Sequence, residues 1–146
     1  MLNVQTLPEN QLTERYKLMR EGAQKLGYGD RFRPVPLAVT FNPEWNYGLP
    51  DPFSDRHSKT WTNAQGQQQG TCVHCGNCDI GCQVKAKNTL DLNYIPQAEK
   101  HGAEVRPLHL VSNISLERGR YLVHFQRIEN GRMMPGYESA ERVIVA

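Results

Sequence analysis

All four cysteines of this chain fall within eleven residues, Cys72-Val-His-Cys75-Gly-Asn-Cys78-Asp-Ile-Gly-Cys82, and the rest of the 146 residues has none. A disulfide framework spreads its cysteines to tie distant segments together. This cluster cannot do that, so the loop must serve a local purpose. Its spacing, C-x2-C-x2-C-x3-C, is that of cubane-cluster ferredoxins. Gly76 and Gly81 permit the tight turns such a loop needs. Backbone N–H groups turned inward would offset a cluster's negative charge, as would Lys85 and Lys87. In ferredoxins, however, the fourth cysteine precedes a proline and serves a second cluster. Here Gln83 follows Cys82, and no second set exists. A single cubane would need Cys72, Cys75, Cys78 and Cys82 from one short loop. Tetrahedral zinc is the second reading, with His74 as a fifth candidate ligand, although zinc sites usually separate their ligand pairs by a longer loop. The third reading is four small side chains in a turn, with or without a local disulfide. Spacing alone leaves all three open.

Around this loop the chain divides into four further segments. Residues 1–29 predict a helix: Thr6-Leu7-Pro8-Glu9 reads as a capping box with proline in the first turn. Leu12, Tyr16, Met19, Ala23 and Leu26 recur on one face, the pattern of a core stripe. Gly27 and Gly29 end it. Residues 30–70 are irregular and punctuated by Pro34, Pro36, Pro43, Pro50 and Pro52. Such a run suggests a segment wrapped over a larger protein, with Trp45, Tyr47, Phe53 and Trp61 packed rather than stacked on a ligand. The cysteine-rich loop spans 71–87. Residues 88–102 predict a second helix, kinked at Pro96 and stopped by Gly102. Residues 103–146 read as short strands, with hairpin turns at Gly119 and Asn130-Gly131. Arg142-Val-Ile-Val-Ala146 has the composition of a buried strand. A strand that stops without a turn suggests a fragment. The fold class is therefore α+β or α/β: two helices, a Pro-rich segment, a cysteine loop and a C-terminal set of strands.

Other chemistry is sparse. His57, His74, His101, His109 and His124 show no paired metal-ligand spacing. Asp51 and Asp55 flank Phe53 in what reads as a turn. Ser54 and Ser58 lack a nucleophile-elbow setting. Neither a dinucleotide fingerprint nor a Walker loop is present. The balance of 17 basic and 15 acidic residues, with no basic stripe, argues for no nucleic-acid partner. No apolar run reaches the ~20 residues of a membrane span, and no secretory signal is visible. A cytoplasmic setting is expected.

From Cys72 to Arg106 the text resembles a known family. The loop Cys-x-x-Cys-Gly-x-Cys-x-x-Gly-Cys is followed by Ala86-Lys87-Asn88-Thr89-Leu90 and Asn93-Tyr94-Ile95. Then come Ala98-Glu99 and Gly102-Ala103-Glu104-Val105. This order resembles the cholesterol-oxidase-like branch of the GMC (glucose–methanol–choline) flavin-dependent oxidoreductases. Lys85 stands where that branch usually has glycine, and Gln83 where it often has proline. The resemblance implies an internal piece of a FAD-binding α/β domain, with the remainder of the flavoenzyme as partner and a small alcohol or sterol as substrate. It implies hydride transfer from an alcohol carbon to the flavin. The dinucleotide fingerprint would lie upstream and the catalytic residues downstream, so this piece would be inactive alone. It also implies one cofactor contact: His109-Leu110-Val111 matches the segment whose valine backbone holds the adenine of FAD. Two other readings stand beside it, a small iron–sulfur electron carrier built on the cysteine loop and a non-catalytic interaction module using the aromatics.

Overall fold

The structure, a computed structural model, describes residues 2–146. The chain divides into two compact units, one running through Ala103 and the other Glu104–Ala146. Two helices and small antiparallel sheets make an α+β arrangement, as expected.

In the first unit, a single 3-10 turn at Glu9–Gln11 precedes helix α1, Glu14–Lys25. The sequence places the helix start at Thr6, but the chain is extended at Leu12 and the cap is Thr13. Thr13 Oγ1 accepts the Tyr16 N–H at 3.2 Å, satisfying one of the donors a helix start leaves free. The expected core stripe does not form. Leu12 is 2% exposed, but it lies outside the helix, and Met19 and Leu26 are 59% and 74% exposed. Breaking the chain at Leu12 shifts the register, so the residue that anchors the segment is no longer on the helical face. Helix α1 contributes no buried residue.

The Pro-rich segment has its own place in this unit. It supplies Phe41 and the fully buried Trp45 to the core, together with buried Thr40 and Asn42. Residues 38–41 run between the two ends of the cysteine loop. Cys72 N–H donates to Thr40 O at 2.8 Å, Thr40 N–H to Ala86 O at 2.9 Å, and Asn88 N–H to Ala38 O at 2.8 Å. Isolated bridges Val39–Lys87 and Phe41–Cys72 belong to the same seam. Strands β1 (Thr60–Thr62) and β2 (Gln68–Gly70) form a hairpin beside it. Its loop is organised by Asn63, whose Oδ1 accepts N–H groups of Gln65 and Gln67, both at 2.9 Å. Gly70 must be glycine, because a Cβ there would collide with the Val84 carbonyl.

Helix α2 is Tyr94–Lys100, after a 3-10 turn at Leu90–Leu92. The kink expected at Pro96 is absent. Asn93 is the cap and accepts the Tyr94 N–H at 2.7 Å. Pro96 thus falls in the first turn, where no intrahelical partner for its missing N–H is needed. Gly102, at φ 89°, closes the helix as expected. Its N–H bonds Glu99 O, and Ala103 N–H bonds Ala98 O, both at 3.0 Å, the two bonds of a Schellman stop.

The second unit is a three-stranded antiparallel sheet in the order β3 (His109–Glu117), β4 (Arg120–Glu129), β5 (Arg132–Ala140). Both turns occur where the sequence places them. Arg118-Gly119 and Asn130-Gly131 have φ of 50°, 80°, 49° and 73°, the left-handed pairs that match strand twist in two-residue hairpins. Three details differ from the expectation. The first strand begins only at His109, leaving residues 103–108 outside it, and Arg132–Ala140 forms a strand that composition did not signal. The run Arg142–Ala146 is not a strand, and Ile144 and Val145 are 93% and 80% exposed. A β-branched run becomes a strand only beside a partner, and none of the described residues pairs with it.

Candidate functional site

Four left-handed backbone positions bend the cysteine loop: His74 (φ 57°), Gly76 (80°), Gly81 (143°) and Lys85 (54°). The two non-glycine positions are unusual, and each turns backbone N–H groups towards sulfur. His74 N–H donates to Cys72 Sγ at 3.3 Å. Ala86 and Lys87 N–H groups donate to Cys82 Sγ at 3.2 and 3.4 Å. Lys87 Nζ closes the loop on Cys78 O at 2.9 Å. All four cysteines are free thiols: Cys72 and Cys82 are half-buried, and Cys75 and Cys78 are exposed. Burial pushes the Cys72 thiol up, with smaller contributions from neighbouring cysteines, against the opposing pull of the His74 N–H.

The metal reading of Cys72, Cys75, Cys78 and Cys82 gains no support. Among the described residues, no three His, Cys, Asp or Glu side chains form a group able to hold a metal. The sulfurs of Cys72 and Cys82 accept N–H groups of their own turns. The iron–sulfur reading, as cofactor or as electron carrier, finds no support here.

What the four cysteines share is a cavity of about 440 Å³. Leu37, Val39, Phe41, Tyr47, Phe53 and Val73 form its apolar wall, with His74 at the same surface. His74 is held by aromatic rings, with centroids 4.0 Å from Trp45, 5.9 Å from Phe41 and 6.5 Å from Tyr47. Its Nε2 lies 2.9 Å from Oε1 of Gln11, which is fully buried. Burial lowers the His74 pKa from the usual histidine value. Gln11 Nε2 donates to Asn42 O at 2.6 Å and Trp45 O at 3.2 Å. Tyr47 Oη donates to Gln11 O at 3.2 Å. Gln11 and the orientation of His74 are invisible in local sequence: the pair is 63 positions apart, and a glutamine near a helix start reads as surface.

Val111 lies in the second unit, on edge strand β3, and is 52% exposed. It pairs with Phe125 immediately before a bulge that shifts the register between Val111 and Asn113. His109 packs on Phe125 at 4.8 Å. Arg106 bonds Glu104 and Glu138 at 2.6–2.8 Å, which holds the Glu104 carboxyl below its usual range. The remaining histidines converge on nothing comparable to the His74 cluster.

No family model matches the chain, and no solved structure matches it. Curated proteins do. A cholesterol oxidase of Acinetobacter baumannii is 40% identical over 91 residues, covering 60% of this chain and 15% of that protein. A cholesterol oxidase of Mycobacterium tuberculosis (strain ATCC 25618 / H37Rv) is 34% identical over 103 residues, covering 68% of this chain and 16% of the relative. The resemblance to the cholesterol-oxidase-like branch of the GMC oxidoreductases is thereby borne out. The chain matches about one-sixth of the length of these relatives. Among the described residues no helix is long and apolar enough to cross a membrane.

Proposed function

We propose that this sequence is part of a FAD-dependent GMC-type oxidoreductase that oxidises the CH–OH group of a small alcohol or sterol. The observation that carries the reading is the 40% identity to a cholesterol oxidase across 91 residues. When bound, the flavin supplies the hydride acceptor. In this reading the chain supplies no catalytic residue, is inactive by itself and completes its fold with the remainder of the flavoenzyme. Its second unit belongs to the FAD-binding domain. Its contribution to the cofactor is the backbone of Val111, which would hold the adenine. The residues present fit such a role. An edge strand offers backbone N–H and C=O groups that no ladder partner uses, and a bulge frees further ones. Val111 has both features. Four free thiols suit the reducing cytoplasm.

The test uses the complete reading frame that contains this sequence. Val111→Ala keeps the backbone and should leave the flavin content of the purified protein unchanged. Val111→Pro removes the N–H and should lower it at least several-fold, with the circular dichroism of the sheet as a folding control. Full flavin occupancy in a correctly folded Val111→Pro protein would refute the assignment.

A further inference from the structure

The outer and inner cysteines of the loop differ. Cys72 and Cys82 are half-buried, and their sulfurs accept backbone N–H groups, from His74 at 3.3 Å and from Ala86 and Lys87 at 3.2 and 3.4 Å. A disulfide at either position would turn the sulfur away from those donors. Burial also disfavours the thiolate of Cys72, and the thiolate is the nucleophile.

Cys75 and Cys78 are exposed, and their sulfurs take no part in those bonds. They stand three positions apart. A disulfide needs its Cα atoms within about 7 Å, whereas an extended chain would separate such positions by about 10 Å. The chain must bend between them, and it does so at Gly76, whose φ is 80°, a left-handed conformation that side chains disfavour. Exchange with a disulfide in solution requires an accessible thiolate and a second thiol poised to resolve the mixed disulfide. Exposure supplies the first, and the bend at Gly76 brings in the second.

We propose that Cys75 and Cys78 form a dithiol–disulfide exchange pair whose co-reactant is a low-molecular-weight disulfide of the glutathione class. One of the two thiolates attacks a sulfur of the small disulfide. That S–S bond breaks, one small thiolate leaves and takes up a proton, and a mixed disulfide remains on the protein. The other cysteine loses its proton to water, attacks the protein sulfur of the mixed disulfide and expels the second small thiol. Two cysteine thiols are thereby oxidised to one disulfide, and one small disulfide is reduced to two thiols. Cys72 and Cys82 stay reduced. In a reducing setting the pair rests as the dithiol. Residues 75–78 all border the apolar cavity, so closing the disulfide stiffens that part of its wall. The pair needs no flavin, and its failure would leave the oxidoreductase reading untouched.

The experiment uses the protein purified from the complete reading frame, equilibrated anaerobically with mixtures of reduced and oxidised glutathione. Free thiols are blocked with light N-ethylmaleimide, and disulfides are then reduced and blocked with the deuterated reagent. Trypsin leaves all four cysteines on one peptide, residues 60–85, and its fragmentation assigns each label. The deuterated label should fall on Cys75 and Cys78 together, and the light label on Cys72 and Cys82. Two small thiols are released per disulfide, so diluting glutathione tenfold at a fixed ratio of its two forms should raise the disulfide-to-dithiol ratio about tenfold. Cys78→Ser should instead hold Cys75 as a glutathione adduct whose occupancy does not change on dilution. Deuterated label on Cys72 or Cys82, a glutathione adduct as the end product in the unmutated protein, an occupancy insensitive to dilution, or four light labels even in oxidised glutathione would each overturn the proposal.

Discussion

The two units hold together in opposite ways. Glu104–Ala146 is nearly all regular ladder, three strands joined by two left-handed turns, yet none of its residues is buried. The unit through Ala103 has two short helices and one hairpin of three-residue strands, yet it contains every buried residue among those described, from Gln11 to Pro96. Regular hydrogen bonding and a core are thus separable. A sheet can satisfy its backbone without excluding water, and a loop-rich unit can bury Trp45 by bonding side chains to backbone. Stability follows burial more closely than regularity.

The comparison can be broken most forcefully at Trp45. Trp45→Ala removes the largest fully buried side chain and should cost the first unit about 3–5 kcal/mol. Denaturant unfolding should show it, while the amide resonances of β4 stay in place. If β4 is lost as well, the units are not independent. Gln11→Ala should come next. It removes the partner of His74 Nε2, while the Asn42 and Trp45 carbonyls keep the Trp45 N–H and the Asn10 amide, so the cost should be about 1–3 kcal/mol for the one buried group left unpaired. Loss of the His74 tautomer preference should accompany it in ¹⁵N spectra. In the second unit, Gly131→Ala meets open space but forces a side chain into φ 73°, at about 1–2 kcal/mol. It should fray the β4–β5 hairpin and leave Trp45 fluorescence unchanged.

The smallest effect is set by pH. His74 is harder to protonate in the folded chain than in the unfolded one. Below the ordinary histidine value of 6.5 the unfolded state takes up the proton first. Stability of the first unit should therefore be full above that value and fall as pH drops through the lowered folded one. Cys72 acts at the other end. Its thiol is raised above 9.0, so the unfolded state ionises first and stability should decline as pH rises past that point. Denaturation midpoints that stay flat on the acid side would contradict the burial of His74.

Legibility followed the same division. Both hairpin turns and the Gly102 stop could be read because each depends on glycine or asparagine in a left-handed position, a local property. The first helix starts after Thr13 rather than at Thr6 because the burial of Gln11 and Leu12 holds the chain extended before it, which a local capping signature does not record. Pro96 was read as a kink because its position relative to Asn93 decides its effect. The cysteine loop is legible as a family marker, while its metal reading gains no support. Spacing records the order of the sulfurs, whereas left-handed turns at His74 and Lys85 decide where they point. The His74–Gln11 pair could not be read at all, being a long-range contact between unremarkable residues.

The flavoprotein reading is tested most directly by the absorption spectrum of the protein purified from the complete reading frame, recorded anaerobically before and after addition of a sterol. Bound FAD whose visible absorbance is bleached by the sterol is the expected result. A colourless protein, or a flavin that stays oxidised with both sterols and simple alcohols, would contradict it.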